Sequence, residues 1–120
     1  MEGIDLNILI YAFDASSRFH KPAVEFVEER IKNITLGIAE FSLLEFYAVI
    51  TAGRKIGKPL QPSEACAALK NFYQSQSFAV LPCSQACLQM AIEEAYGYSV
   101  KRNDIYDFLI ATTFKEHDIA

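Results

Sequence analysis

The stretch Ile34-Thr-Leu-Gly-Ile-Ala-Glu-Phe-Ser-Leu-Leu-Glu-Phe-Tyr-Ala-Val-Ile-Thr51 decides the fold. Its opening, Ile34 to Ile38, is a short apolar run and predicts a strand. Glu40 to Thr51 predicts a helix, with Phe41, Leu43, Leu44, Phe46, Tyr47, Val49 and Ile50 leaving it apolar on nearly every face. A strand that feeds straight into a helix is the building unit of α/β architecture.

Working outward, the alternation repeats. Ile4 to Phe13, rich in Ile and Leu, predicts a first strand buried on both faces, as in a parallel sheet. Asp14-Ala-Ser-Ser is turn chemistry. His20 to Ile31 places Ala23, Val24, Phe26, Val27 and Ile31 at helical spacing, with Glu25, Glu28, Glu29 and Arg30 on the wet face. After Thr51, Gly53 to Pro59 is a loop. Pro62 opens a helix that runs to about Gln74. Ser77 to Leu81 predicts a third strand, and Ser84 caps a helix to about Tyr96. Gly97 to Arg102 is a linker, and the last helix runs from about Asn103 to His117. There is no internal repeat. The pattern predicts a single α/β sandwich around a short parallel sheet, spanning residues 1–120.

Composition narrows the class. A hydrophobic fraction of 52% suffices for a real core. No run approaches the roughly 18 unbroken apolar residues that cross a bilayer. Asp5 and Asn7 interrupt the first apolar stretch and no basic cluster precedes it, so no targeting segment is read. Cys83 and Cys87 lie one helical turn apart without a nearby His, which is a poor zinc site. The cysteines read as small buried hydrophobes in a reducing cytoplasm. The net charge of −4 argues against a protein held on nucleic acid by bulk charge. It is compatible with a cluster of metal-binding carboxylates, because a bound cation reverses the local sign.

Three acids do not fit a solvated surface. Asp5 shares a predicted strand with Asn7, two residues on, so both would point to one face. Glu45 lies between Leu44 and Phe46 in the most apolar helix. Asp107 sits within Ile105-Tyr-Asp-Phe-Leu-Ile-Ala, and Asp104 is three residues earlier on the same helical face. Burying a lone carboxylate is costly, so each needs a partner or a metal. Converging carboxylates repel unless a divalent cation joins them. Oxygen-only ligands suit Mg2+ or Mn2+. Neither His20 nor His117 has a spacing that suggests a general base, and His117 reads better as a helix cap. Arg54, Lys55 and Lys58, with Lys101 and Arg102, are the basic clusters, suited either to phosphate contacts or to solvated loops.

These residues resemble a family. Ile4-Asp-Leu-Asn-Ile-Leu-Ile-Tyr is similar to the opening of PIN domains, Leu43-Leu-Glu-Phe-Tyr-Ala-Val-Ile to their second motif, and Asp107-Phe-Leu-Ile-Ala-Thr-Thr-Phe to their third. The order and spacing match along essentially the whole chain. The small toxin components of VapBC toxin–antitoxin pairs are the most similar in style.

The resemblance implies a PIN-like three-layer α/β/α sandwich and a Mg2+- or Mn2+-dependent endoribonuclease. It implies Asp5, Glu45 and Asp107 as catalytic metal ligands, Asn7 and Asp104 as ancillary groups, and no covalent protein intermediate. It also implies an RNA substrate, an antitoxin partner, a homodimer and a cytoplasmic setting without a membrane. Two departures stand out. Leu6 occupies a position where many relatives carry a small hydroxyl residue, and His117-Asp-Ile-Ala falls where the family's closing strand and fourth acid should begin. The expectation is a domain incomplete at its C-terminus, its last strand encoded further on or its edge covered by another chain. The alternatives are a PIN nuclease of RNA processing and a non-catalytic PIN-fold binding module. A phosphatase-like α/β domain fits less well, because Asn7 stands where such a site wants a second Asp.

Overall fold

The computed structural model describes residues 1–53 and 57–119. The described elements are β1 (Glu2–Gly3), α1 (Leu6–Phe13), α2 (His20–Arg30), β2 (Leu36–Ala39), α3 (Glu40–Thr51), α4 (Pro62–Gln74), β3 (Phe78–Leu81), α5 (Gln85–Gly97) and α6 (Ile105–Glu116), with a short 3-10 turn at Arg102–Asp104 before α6. The strands form one parallel sheet in the order β1-β2-β3. Gly3 pairs with Gly37, and Leu36 to Ala39 pair with Phe78 to Leu81.

The first element corrects the sequence reading. The strand ends at Gly3, and Leu6–Phe13 is a helix. Asp5 is its N-cap, with extended backbone and a side chain that accepts the Asn7 N–H at 2.8 Å. Leu9 and Ile10 are buried in the core, and Leu6 and Ile8 pack against it. A helix covered this thoroughly shows the same apolar run as a buried strand, so periodicity alone does not separate them.

Strand alternation sorts the two faces of the sheet. Leu36 and Ile38 join Leu9, Ile10, Leu43, Phe46 and Ile50 in the main core, covered by α1 to α4. Ring contacts run through this core: Phe13 to Phe46 at 5.5 Å, Phe46 to Phe72 at 5.6 Å and Phe72 to Phe78 at 5.2 Å, all close to edge-on. They tie α1, α3, α4 and β3 together. On the opposite face α6 lies against the strands and α5 packs on α6. A Cβ on Gly3 would stand 2.7 Å from the Phe114 ring of α6, an approach that glycine permits. The arrangement is a three-layer α/β/α sandwich.

Caps set the helix starts. In α4, Pro62 occupies the first turn and the Glu64 carboxylate accepts the Gln61 N–H at 3.1 Å. In α5, the Ser84 hydroxyl accepts the Cys87 N–H at 3.1 Å. The turn between β3 and α5 is gripped from two helices. Glu40 of α3 accepts the Cys83 N–H at 2.7 Å, Glu116 of α6 accepts both the hydroxyl and the N–H of Ser84, and His117 Nε2 donates to the Pro82 carbonyl at 3.0 Å. The Ser84 hydroxyl holds the Glu116 carboxyl below its ordinary range. His117 is also the C-cap residue of α6, as expected.

Candidate active site

In a parallel sheet the connections leave from the carboxyl ends of the strands, and clefts form there. Asp5 follows β1 after one residue, Ile4, and α3 follows β2 without a linking residue. Their side chains and those of α6 line one cavity of about 490 Å³. Asp5 and Asn7 enter it from the start of α1, at the cap and second helical positions. Glu45 enters from α3, with Ser42 one turn before it and Val49 one turn after. Asp107 enters from the first turn of α6, with Ile110, Ala111 and Phe114 following at helical spacing on the same face.

The apolar company of these acids therefore has a different meaning from the one expected. Asp5, Asn7 and Asp107 are exposed to the cavity and Glu45 is half-buried. Ile10, Val49 and Ile110 line the cavity beside them, and Ile10 belongs to the main core as well. Among the described residues, no three His, Cys, Asp or Glu side chains stand close enough to hold one ion. Asp5, Glu45 and Asp107 share one cavity. The donor set, carboxylates and an amide with no sulfur or imidazole, is chemically suited to a hard divalent cation.

Not every candidate reaches the cavity. Asp104 takes the N-cap position of α6, makes no side-chain cap bond and does not line the site. Lys58 is exposed and also lies off the cavity wall. Arg54 and Lys55 fall outside the described residues. Lys101 and Arg102 are exposed on the segment that opens α6. His20 donates from Nδ1 to the Tyr11 carbonyl at 3.0 Å. Ser42, which sequence reasoning did not single out, is buried and lines the cavity. Its position three residues before Glu45 on one helix was the available signal. Of the cysteines, Cys87 is buried, Cys83 is half-buried and Cys66 is exposed, so the buried reading does not extend to Cys66.

The sequence profile described as "PIN domain" matches residues 4–120. The chain belongs to the PIN domain family.

This PIN domain chain is 24% identical over 119 residues to ribonuclease VapC24 of Mycobacterium tuberculosis strain H37Rv, an alignment covering 99% of this chain and 81% of that protein. The same figures hold for ribonuclease VapC24 of strain CDC 1551. Its fold is similar to that of a chain in a toxin–antitoxin complex from Klebsiella pneumoniae, at 19% identity and a TM-score of 0.62, covering 99% of this chain and 82% of that one. It is similar as well to a chain of VapBC2 from Rickettsia felis, solved bound to a DNA fragment from the promoter, at 18% identity and a TM-score of 0.60, covering 98% and 83%. The PIN fold expected from the sequence is the one observed.

Proposed function

We propose that this PIN domain protein is a divalent-metal-dependent endoribonuclease and the toxin of a toxin–antitoxin pair. The observation that carries the reading is the meeting of Asp5, Asn7, Glu45 and Asp107, from three separate helices, in one cavity at the carboxyl ends of the strands. The names of its relatives, a ribonuclease and two toxin–antitoxin assemblies, point the same way.

In this reading Asp5, Glu45 and Asp107 hold the ion. When bound, Mg2+ or Mn2+ supplies Lewis acidity toward the scissile phosphodiester and the attacking water. Asn7 contributes a neutral amide that donates to a phosphate oxygen where a fourth carboxylate would repel it. Ile10, Val49 and Ile110 shape the cavity wall and limit bulk water. Lys58, together with Arg54 and Lys55, contacts RNA phosphates, and Asp104 is an ancillary acid. An antitoxin protein, a homodimeric assembly and a cytoplasmic setting complete the proposal. Among the described residues, no helix is long and apolar enough to cross a membrane.

The test is cleavage of RNA by the purified protein with Mg2+ or Mn2+, abolished by chelation and by Asp5→Asn. Cleavage that survives Asp5→Asn unchanged would sink the reading. The alternative is a PIN-fold module that binds without cutting. A Mn2+ titration decides between them, because the inert module shows no binding that depends on Asp5.

A further inference from the structure

Asp107 stands between two aromatic pairs. Its neighbour Tyr106 packs against Phe41 of α3, ring centres 4.6 Å apart and tilted by 33°. Its other neighbour, Phe108, meets Tyr98 at 5.9 Å and 41°. Successive helical residues diverge by roughly 100°, so the pairs lie on opposite flanks of the carboxylate. Both tyrosines are open to solvent, Tyr106 at 39% and Tyr98 at 76%. Lys101 and Arg102 are exposed on the segment between them. Ser99 takes left-handed backbone (φ 53°) as the cap that ends α5, with the Val100 N–H bonded to the Ala95 carbonyl at 2.9 Å, and Arg102 is left-handed as well (φ 59°).

An RNA strand faces an electrostatic obstacle here. The chain carries a net charge of −4, and the cavity itself is lined by carboxylates. Affinity must come from interactions that do not depend on bulk positive charge. Base stacking on an aromatic face is one, because every unpaired base offers a π surface. We infer that Tyr98 and Tyr106 are base-stacking residues for the strand that reaches Asp107, with Lys101 and Arg102 on its phosphates. The inference rests on the ribonuclease reading and adds the residues that hold the substrate beside the acids.

The experiment measures fluorescence anisotropy of a labelled single-stranded oligoribonucleotide, with Ca2+ in place of Mg2+ to hold off cleavage. Tyr98→Ala and Tyr106→Ala should each weaken binding about tenfold, while Tyr98→Phe and Tyr106→Phe bind like the parent. Tyr106→Leu keeps an apolar contact with Phe41 and should weaken binding as Tyr106→Ala does, which separates stacking from packing. On an oligomer of the same length with abasic sugars, parent and tyrosine variants should bind alike. Lys101→Ala and Arg102→Ala should each reduce the slope of log affinity against log salt by about one. Parent-like binding of the base-bearing oligomer by Tyr98→Ala and Tyr106→Ala overturns the assignment. So does an equal loss on the abasic oligomer, or loss of self-association at unchanged RNA affinity. If the parent protein neither binds nor cuts RNA, the ribonuclease reading fails and this inference with it. If the parent cuts RNA and the tyrosine variants match it, only the stacking assignment fails.

Discussion

Helix α3 separates two cavities of similar size and opposite chemistry. On one side Ser42, Glu45 and Val49 face the acidic site of about 490 Å³. On the other, Phe41, Leu43 and Leu44 line a cleft of about 420 Å³ shared with α4 and α5, whose further walls include Leu69, Tyr73 and Leu88. The apolar cleft has the lining usually associated with small ligands, and among its polar groups Glu40 and Ser84 are held by hydrogen bonds. Glu40 accepts the Cys83 N–H. The Cys83 thiol is pushed up to about 11 by burial and by its neighbour Cys87, so it stays protonated at neutral pH. In the acidic site, Asp107 and Asp5 stand exposed among apolar walls. The two cavities differ little in volume; they differ in the carboxylates that line them, Asp5, Glu45 and Asp107 in one and Glu40 in the other.

The comparison can be broken by substitution on the two faces. Glu45→Gln and Asp107→Asn should lower RNA cleavage on the order of a hundredfold or more, as loss of one preorganised electrostatic group does elsewhere, with the melting temperature little changed for exposed Asp107. An unaltered rate in both would dissolve the distinction between the faces. Between the two cavities Phe46 is 1% exposed. Phe46→Ala should cost about 3–5 kcal/mol in chemical denaturation, because it opens a void where four elements meet. A loss below about 1 kcal/mol would mean that the core collapses around the gap.

A smaller effect follows from the caps. Hydrogen bonds from Ser16 hold Asp14 below its ordinary range, and those from Ser84 do the same for Glu116. Both folded-state values are depressed, so the stability they add is complete above the unfolded carboxylate range, near pH 4, and is lost as pH falls through the folded values. Ser16→Ala and Ser84→Ala should flatten the acid limb of a stability–pH curve. An unchanged limb would show that these bonds add nothing in solution. Cys83 has the opposite sign: its stabilising form is the thiol, present below about pH 9 and lost as pH rises toward 11. The smallest effect belongs to Leu44, which is 66% exposed on the apolar face. Leu44→Ser should shift stability by no more than about 0.5 kcal/mol and leave cleavage unchanged. A fall in cleavage would show that the apolar cleft takes part after all.

The sequence was most readable where two signals coincided. Glu40–Thr51 and Pro62–Gln74 have the bounds expected, because each combines apolar spacing with a sharp start: a strand end before Glu40 and a proline at residue 62. Residues 4–13 were misread as a strand because both faces of α1 are apolar; the informative residue was Asp5, read as chemistry rather than as a cap. The same double nature explains the site. Asp5, Asn7, Glu45 and Asp107 stood out as polar residues in apolar runs, and all four reach the cavity. Asp104 shared a helical face with Asp107 on paper and its backbone is helical, in the 3-10 turn before α6, yet it does not line the cavity. Ser42 was passed over because a small hydroxyl in a helix carries no charge, and only its spacing of three residues from Glu45 marked it.

The capping role of Asp5 has a consequence for disorder and its cost. One oxygen of its carboxylate is fixed by the Asn7 N–H, so folding of α1 has already removed most of the side chain's rotational freedom. A ligand that meets this group need not freeze it, and the entropy loss that usually opposes binding is moved into the folding step. Asparagine caps helices about as well as aspartate. Asp5→Asn therefore removes the charge while leaving the ordering in place, whereas Asp5→Ala would remove both. The difference between those two variants measures how much of the site's competence is charge and how much is order.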